Sequence, residues 1–407
     1  MNQFFDAIGI ALSSIWANKL RSTMMVLGNV VAVTSIIAVV SLIQGMNGYV
    51  SNAIISDVGA GTFRIEKVGF ITDEEEERVA QRRPTVTLDD ARAVREFGGT
   101  IDAVMAESGA GANLSWHDNT LENTRIRGVS AEYDMFSGYN ATQGRLPSRL
   151  EMQRNRPVAL LGWDTADKLF KGRNPLDQLF QVNGTHFRVV GVNEKKGSLF
   201  GNSQDEFVVI PLGAFQKLFG SRRSLDLTVK PTDPSLITTA MDDARVALRV
   251  KRHLSPKKND NFGMYTSDTL MEFWTKFSSG AFAVLIGIVT LSLVVGGIVI
   301  MNIMLMVVSE RTREIGLRKA LGAKRRDIVW QVLTESTTLS IIGGVIGTIL
   351  GFALAATVAA FTPIPAVIKP WSVLLGIGMT AVVGLFFGIY PANRAARLDP
   401  IEALRKE

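Results

Sequence analysis

Seven basic residues crowd one short stretch of the chain. Arg311, Arg313, Arg318, Lys319, Lys324, Arg325 and Arg326 stand between positions 310 and 327 against three acids, Glu310, Glu314 and Asp327. The chemistry open to such a set is electrostatic: pairing with carboxylates, with anionic lipid or with the surface of a protein partner. No reactive set competes with it elsewhere. His117, His186 and His253 are scattered, cysteine is absent, and no metal-ligating or nucleophile motif emerges. A phosphate loop of the form G-x-x-x-x-G-K-[S/T], whose glycine amides would wrap a nucleotide, does not occur. These residues speak against an enzyme acting on its own and against a directly bound cofactor or metal.

Read as a helix, positions 310–321 place Leu317, Ala320 and Leu321 on one apolar stripe. Arg311, Glu314 and Arg318 share another face, with Glu314 and Arg318 at the favourable i,i+4 spacing. Gly316 costs about 1 kcal/mol relative to alanine in a helix interior, which suits a position where another backbone comes close. Gly322 then ends the helix in the manner of a C′ glycine. A second short helix is expected over 400–407, after a bend at Pro391, because Asp399 can cap it, Pro400 starts it and Glu402 occupies its third position. That helix is either a solvated tail or a brace for the basic segment, with Glu335, Arg394 and Asp399 as polar contacts. From residues alone, the basic segment is a helix held on anionic lipid or one docked on a partner.

Four apolar runs must position these segments. No charge occurs in 22–47, 277–309 or 371–393, and 328–368 carries only Glu335. Each run exceeds the roughly 20 apolar residues that cross a hydrocarbon core of about 30 Å. Four buried helices of a soluble protein would leave runs of this length without a solvated face. Membrane helices are therefore expected over 22–47, 277–309, 328–362 and 371–391, with a short outer loop at 363–370. The second run, 33 residues, would reach about 50 Å as one helix, so its excess should protrude outward as a stalk. In the third, Gly343, Gly347, Gly351, Ala355 and Ala359 recur at every fourth residue, and in the fourth Gly376, Thr380, Gly384 and Gly388 do the same. Such faces let backbones approach closely, either against each other or against another membrane helix. Glu335 falls about 10 Å along its helix from Ile328, where pairing with an arginine of the basic segment is the simplest use of it.

Orientation follows from the basic residues. The segment 310–327 carries net charge +4, and the two termini, 1–21 and 392–407, carry +1 each, which accounts for the chain's formal +6. All three are placed in the cytoplasm by the positive-inside rule. The basic balance thus reports topology and does not call for nucleic acid. Phe4, Phe5, Ile8, Leu12, Ile15 and Trp16 recur at helical spacing within 1–21, as in a helix lying in the membrane interface or packed on a cytoplasmic partner. Residues 48–276 are left as one large extracytoplasmic domain of mixed strands and helices. Asn183 and Gly184 mark a hairpin, Thr87 to Asp90 a helix start, and the acidic run 73–77 a solvated loop. Its length allows two cores, one built from both ends and one inserted between them. The fold class is thus an α-helical membrane protein with four transmembrane helices plus a large α+β domain inserted between helices 1 and 2.

Residues 301–304 (MNIM) followed by 309–328 (SERTREIGLRKALGAKRRDI) closely resemble the signature of MacB and FtsX-like permeases. The resemblance extends to 17–22 (ANKLRS), 343–347 (GGVIG) and 390–405 (YPANRAARLDPIEALR), and in the outer domain to Gly144, Arg145, 158–162, Leu169, Phe170, Asn174, Pro175, 187–192, Ile210 and Pro211. It implies that the permease is non-catalytic and works as a homodimer with a cytoplasmic ABC ATPase subunit that supplies ATP and Mg chemistry. MacB itself carries an ATPase domain ahead of its first span, which these 407 residues do not contain. The resemblance makes 310–327 a coupling helix, with Glu310, Arg311, Arg313, Glu314, Gly316, Arg318, Lys319 and Gly322 as its signature residues. Function is then either mechanotransmitted export, with a membrane-fusion adaptor as a further partner, or FtsX-like switching of an extracytoplasmic hydrolase or sensor without transport.

Overall fold

The computed structural model describes residues 19–405 apart from 60, 72, 98, 137, 200, 201, 363–365 and 368. The helix expected over 1–21 therefore lies outside the described residues, save for three positions at the start of the first helix. In chain order the helices are α1 (Lys19–Val58), α2 (Glu74–Gln81), α3 (Leu88–Phe97), α4 (Arg149–Gln153), α5 (Trp163–Phe170), α6 (Leu212–Phe219), α7 (Ile237–Lys251), α8 (Ser267–Glu310), α9 (Thr312–Ala320), α10 (Arg325–Phe361), α11 (Pro370–Ala396) and α12 (Pro400–Arg405). The chain divides into two units, one of Met1–Tyr49 with Lys276–Glu407 and one of Val50–Thr275.

The second unit is organised by one ten-stranded sheet, whose main path runs β12 (Gly263–Thr266), β1 (Phe63–Glu66), β11 (Asp226–Pro231), β2 (Ile101–Trp116), β3 (Asn119–Val129), β10 (Phe207–Pro211), β5 (Val158–Leu161), β7 (Thr185–Asn193) and β4 (Ala141–Gly144). Strand β6 (Leu179–Val182) pairs with both β2 and β7, and β8 (Ser198–Leu199) and β9 (Asn202–Ser203) form a separate small ribbon. The Asn183 and Gly184 turn is present between β6 and β7, with both residues at positive φ (45° and 84°), as the tight hairpin requires. Thr87 caps α3 reciprocally, its hydroxyl accepting from Asp90 N while Asp90 Oδ2 accepts from Thr87 N at 2.9 Å.

In this unit one reading is corrected and one pairing was not foreseen. The acidic run is no loop: Asp73 Oδ1 accepts from Glu75 N at 3.0 Å and starts α2, whose first turn holds four glutamates where the helix dipole favours negative charge. The longest pairing in the sheet, β2 with β3, had no strong local signal because β2 is rich in glycine and alanine; its burial between neighbours decides its conformation.

One core joins both ends of the domain, with Phe63, Ile65 and Val94 packing beside Leu227, Ala244 and Phe262. A second lies in the inserted part, around Leu114, Trp116, Phe170, Phe180, Phe187 and Phe215. The same sheet serves both. In the first core Arg252 holds Asp90 with Nε to Oδ1 at 3.2 Å and Nη2 to Oδ2 at 2.9 Å, both side chains being nearly buried. Burial works to raise the Asp90 carboxyl, but the hydrogen bonds from Arg252 and Thr87 outweigh it and hold the pKa below its ordinary value.

In the other unit four helices are long and apolar enough to cross a membrane: the segment Val26–Ile55 of α1, and α8, α10 and α11. Helix α8 starts at Ser267, well before the expected 277, and its 44 residues extend about 66 Å by helical rise. Helix α11 does not stop at Pro391. The proline forgoes one backbone bond to the preceding turn, yet the helix continues because Ala392, Ala395 and Ala396 are buried in the same cluster as Ile315, Ile328 and Val332.

The glycine faces do not meet each other. A Cβ on Gly347 would lie 2.9 Å from the Val30 carbonyl and from Val33 Cβ, and one on Gly351 would lie 2.8 Å from Ile37 Cβ, so α10 packs this face on α1. Gly343 faces Asn29 in the same row. Gly376 of α11 also faces α1, at Val33 and Ile37, whereas Gly384 and Gly388 abut Ser336 and Ser340 of α10. The contact is polar in part, with Ser336 Oγ donating to the Gly384 carbonyl at 3.1 Å and Thr34 Oγ1 to the Gly347 carbonyl at 3.1 Å.

Gly347→Leu should therefore destabilise the chain in detergent by about 2–3 kcal/mol, while Ile349→Leu, at an exposed position of the same helix, should change it by less than about 0.5 kcal/mol. Equal thermal stability of the two variants would reject the close α1 contact. For the outer domain, Asp90→Asn should cost about 3 kcal/mol at neutral pH by leaving Arg252 buried without its counter-ion. Because the folded pKa is depressed, wild type should lose this contribution as pH falls below about 4, and the difference between the two proteins should shrink there in urea titrations.

Candidate functional site

The basic segment folds as a short helix set between two long ones. Helix α8 ends at Glu310, Arg311 forms the junction, and α9 occupies Thr312–Ala320, so the helix of the basic segment is shorter than the expected 310–327. Gly322, at φ +100°, closes it: Ala323 N donates back to the Arg318 carbonyl at 3.1 Å and Gly322 N to Lys319 at 3.1 Å. Asp327 Oδ2 then accepts from Lys324 N at 3.0 Å, and α10 begins at Arg325.

Three contacts fix α9. Arg311 Nη1 reaches Glu335 Oε1 at 3.3 Å, so the acid in the third apolar run is matched by an arginine of the basic segment. Lys319 Nζ donates to the Ala396 carbonyl at 3.0 Å and to the Leu398 carbonyl, both acceptors at the end of α11 and just beyond it. Gly316 is buried, and a Cβ there would stand 2.6 Å from Ala403 Cβ of α12. Asp399 Oδ1 caps α12 through Ile401 N at 2.8 Å.

This arrangement changes the reading of several residues. The close approach at Gly316 comes from the chain's own C-terminal helix and not from outside. Glu314 and Arg318 form no ion pair among the described residues; Arg318 Nη1 donates instead to Gln331 Oε1. Lys319, read from sequence as a signature cation, ties α9 to the end of α11. Arg394 is exposed, and its side chain makes no ion pair among the described residues. Glu310, Arg313, Glu314 and Gly322 are exposed, as are Leu317 at 53% and Leu321 at 81%. The apolar stripe thus points away from the brace, flanked by Arg313, Glu314 and Arg318. Ala403 and Gln331 escaped the sequence reading because a small or neutral residue carries no signal until its neighbour is known.

An overpacking cost should follow from the brace. Ala403→Leu would push a side chain into the Gly316 backbone and should displace α12, destabilising it by about 1–3 kcal/mol. Limited proteolysis should then cut the chain after α11 several times faster than wild type, whereas Ile401→Ala, at an exposed position, should leave the rate unchanged.

Comparison with known proteins gives the family. A family model described as the MacB-like periplasmic core domain matches residues 22–247, and one described as the FtsX-like permease C-terminal matches residues 286–400. The chain is 33% identical over 403 residues to the macrolide export ATP-binding/permease protein MacB of Bdellovibrio bacteriovorus, covering 96% of this chain and 60% of that protein. It is 32% identical over 411 residues to the ABC transporter permease YknZ of Bacillus subtilis, covering 99% of each. The crystal structure of the periplasmic region of MacB from Actinobacillus actinomycetemcomitans is 21% identical and covers 54% of this chain and 95% of its own, with a TM-score of 0.45. The chain spans about three fifths of the length of the MacB relatives it matches. With both halves matched and full-length identity above 30% to a permease of equal length, the chain belongs to the MacB and FtsX-like family of ABC transporter permeases.

Proposed function

We propose that this permease couples ATP hydrolysis in a separate cytoplasmic ATPase to export from the outer face, by mechanotransmission through a homodimer. The observation that carries the reading is the stripe of Leu317 and Leu321 on α9, exposed to solvent although α9 itself is clamped by Arg311, Gly316 and Lys319. Two leucines held outward on a braced helix are suited to enter a groove of a partner, and burying each would contribute about 1.5–3 kcal/mol. Motion received there has a direct path, since α9 follows α8 across the single residue Arg311, and α8 is one unbroken helix of 44 residues.

In this reading ATP and Mg act on the partner, the permease contributes no catalytic group, and the basic residues 311–326 hold the segment on the cytoplasmic side. The relative from Bdellovibrio bacteriovorus is named for macrolide export. Export is the form of the function that this relative supports, and a membrane-fusion adaptor is a further partner in this reading. Switching of an outer hydrolase or sensor is the alternative that the FtsX-like match over 286–400 keeps in view.

The test is a double substitution, Leu317→Glu with Leu321→Glu, at matched membrane abundance. ATPase co-purification should fall at least about 100-fold, from the lost burial of two leucines, and export should fall with it. Lys324→Gln, beyond the terminating glycine, should cost about 1 kcal/mol of lipid attraction at most and leave docking intact. Retained binding in the double variant would remove α9 as the dock. Orientation is tested separately: the chain has no cysteine, so Asp118→Cys should react with an impermeant thiol reagent in spheroplasts while Ala320→Cys should react only after permeabilisation.

A further inference from the structure

On the face of the outer sheet opposite the core of Phe63, Ile65 and Leu227, a group of charged residues stands beside a further apolar core that includes Met105 and Tyr139. Asp226 of β11 pairs directly with Glu107 of β2, and one step beyond the Ile65 to Leu227 pair Glu66 of β1 comes opposite Asp226. Arg64 of β1 stands between Thr228 of β11 and Tyr265 of β12 in the next row of the same face. Its guanidinium reaches Glu107 Oε1 at 2.9 Å and Glu66 Oε1 at 3.6 Å, and the Tyr265 hydroxyl donates to Glu66 Oε1 at 2.6 Å. Tyr139, in the segment after β3, lies near Glu107 and is met by Arg127 of β3; burial followed by the Glu107 charge pushes its hydroxyl up to about 12, so it stays neutral. Three carboxylates thus gather round the Arg64 guanidinium, with a second guanidinium, that of Arg127, beside Tyr139. Glu107 is only 7% exposed, and its second oxygen, Oε2, is buried without a hydrogen-bond partner.

We propose that Glu66, Glu107 and Asp226, gathered round Arg64, form a proton-operated catch that binds β1, β11 and β2 more firmly when Asp226 is protonated than when it is charged. A neutral Asp226 has a proton to donate, and Glu107 Oε2 is the acceptor across the strand pair that lacks one. An ionised Asp226 instead sets three negative carboxylates beside each other in a half-buried place, which like-charge repulsion penalises. Burial first, then Glu66 and Glu107, raise the Asp226 carboxyl to about 7 against the pull of Arg64. The sign follows: between about pH 4 and 7 the folded chain keeps a proton that the unfolded chain has lost, so the stability from this group falls as pH rises through that window.

The position gives the catch a use. Strand β1 follows α1 after a short turn, and β12 ends at Thr266 immediately before α8, with Ser267 Oγ donating to the Gly59 carbonyl at 2.9 Å. The proton therefore sets how firmly the strands that continue into two long helices are tied into the sheet. Acidification outside the membrane would stiffen that tie, and alkaline conditions would loosen it.

Amide exchange on the full chain in detergent tests this, with each rate divided by the intrinsic rate of that residue at the same pH. Protection of residues 63–66 and 226–230 should fall about tenfold or more between about pH 5.5 and about pH 8.5, while β5 and β7 hold constant. Asp226→Asn should keep the high protection at both values. Glu107→Gln, which removes one repelling charge, should move the midpoint of the wild-type change to lower pH, and it serves if the first variant folds poorly. Constant protection in wild type, or an unshifted midpoint in Glu107→Gln, or the same loss in Asp226→Asn, would overturn the catch.

Discussion

The close contact of α10 on α1 at Gly343, Gly347 and Gly351 is the constraint on which the membrane unit depends. Hydrocarbon gives apolar helices no reason to associate, so cohesion has to come from backbone proximity and from hydrogen bonds between helices. Glycine at every fourth position provides the first, and Thr34, Ser336 and Ser340 provide the second or fill the remaining space. The same rule recurs at Gly28 and Gly296, where a Cβ on the first would come 3.1 Å from the Cα of the second and α1 meets α8. Every helix that crosses the membrane is thereby tied to another through small residues.

The cytoplasmic corner is held by different forces. There Lys319 supplies a cation to carbonyls that the end of α11 and the turn after it present, and helix carbonyls left without amide partners favour a positive charge. Arg311 and Glu335 neutralise one another beside it. Once Gly316 is committed to α12, the face of α9 carrying Leu317 and Leu321 is the one left over. Bracing and exposure are thus two consequences of one packing choice, which is why the exposed leucines are the part of the segment suited to a partner.

In the outer domain a single sheet carries three apolar cores, and a charged cluster lies on one of its faces beside the third, which holds Ala103, Met105, Tyr133 and Tyr139. The Asp90 and Arg252 pair is satisfied on both sides and pins α3 to α7's end, whereas the cluster at Glu107 leaves an acceptor empty. Full satisfaction favours the charged carboxylate at Asp90, whereas burial and neighbouring carboxylates favour the protonated one at Asp226.

Legibility divided along the range of the forces involved. The four spans, the Asn183 hairpin, the Thr87 and Asp399 caps and the stop at Gly322 were all set by residues within a few positions of each other, and sequence by itself determined them. Composition likewise decided that the chain is a membrane protein, and the long signature around 309–328 decided its family. Residues at a distance were another matter. That Gly316 faces Ala403, that Arg318 turns to Gln331 and not Glu314, and that α11 runs past Pro391 depended on which surfaces were already taken by other segments. Spacing fixes the direction a side chain takes from its own helix, but only tertiary packing decides what stands there, because burial and pairing are properties of two surfaces and a sequence pattern describes one.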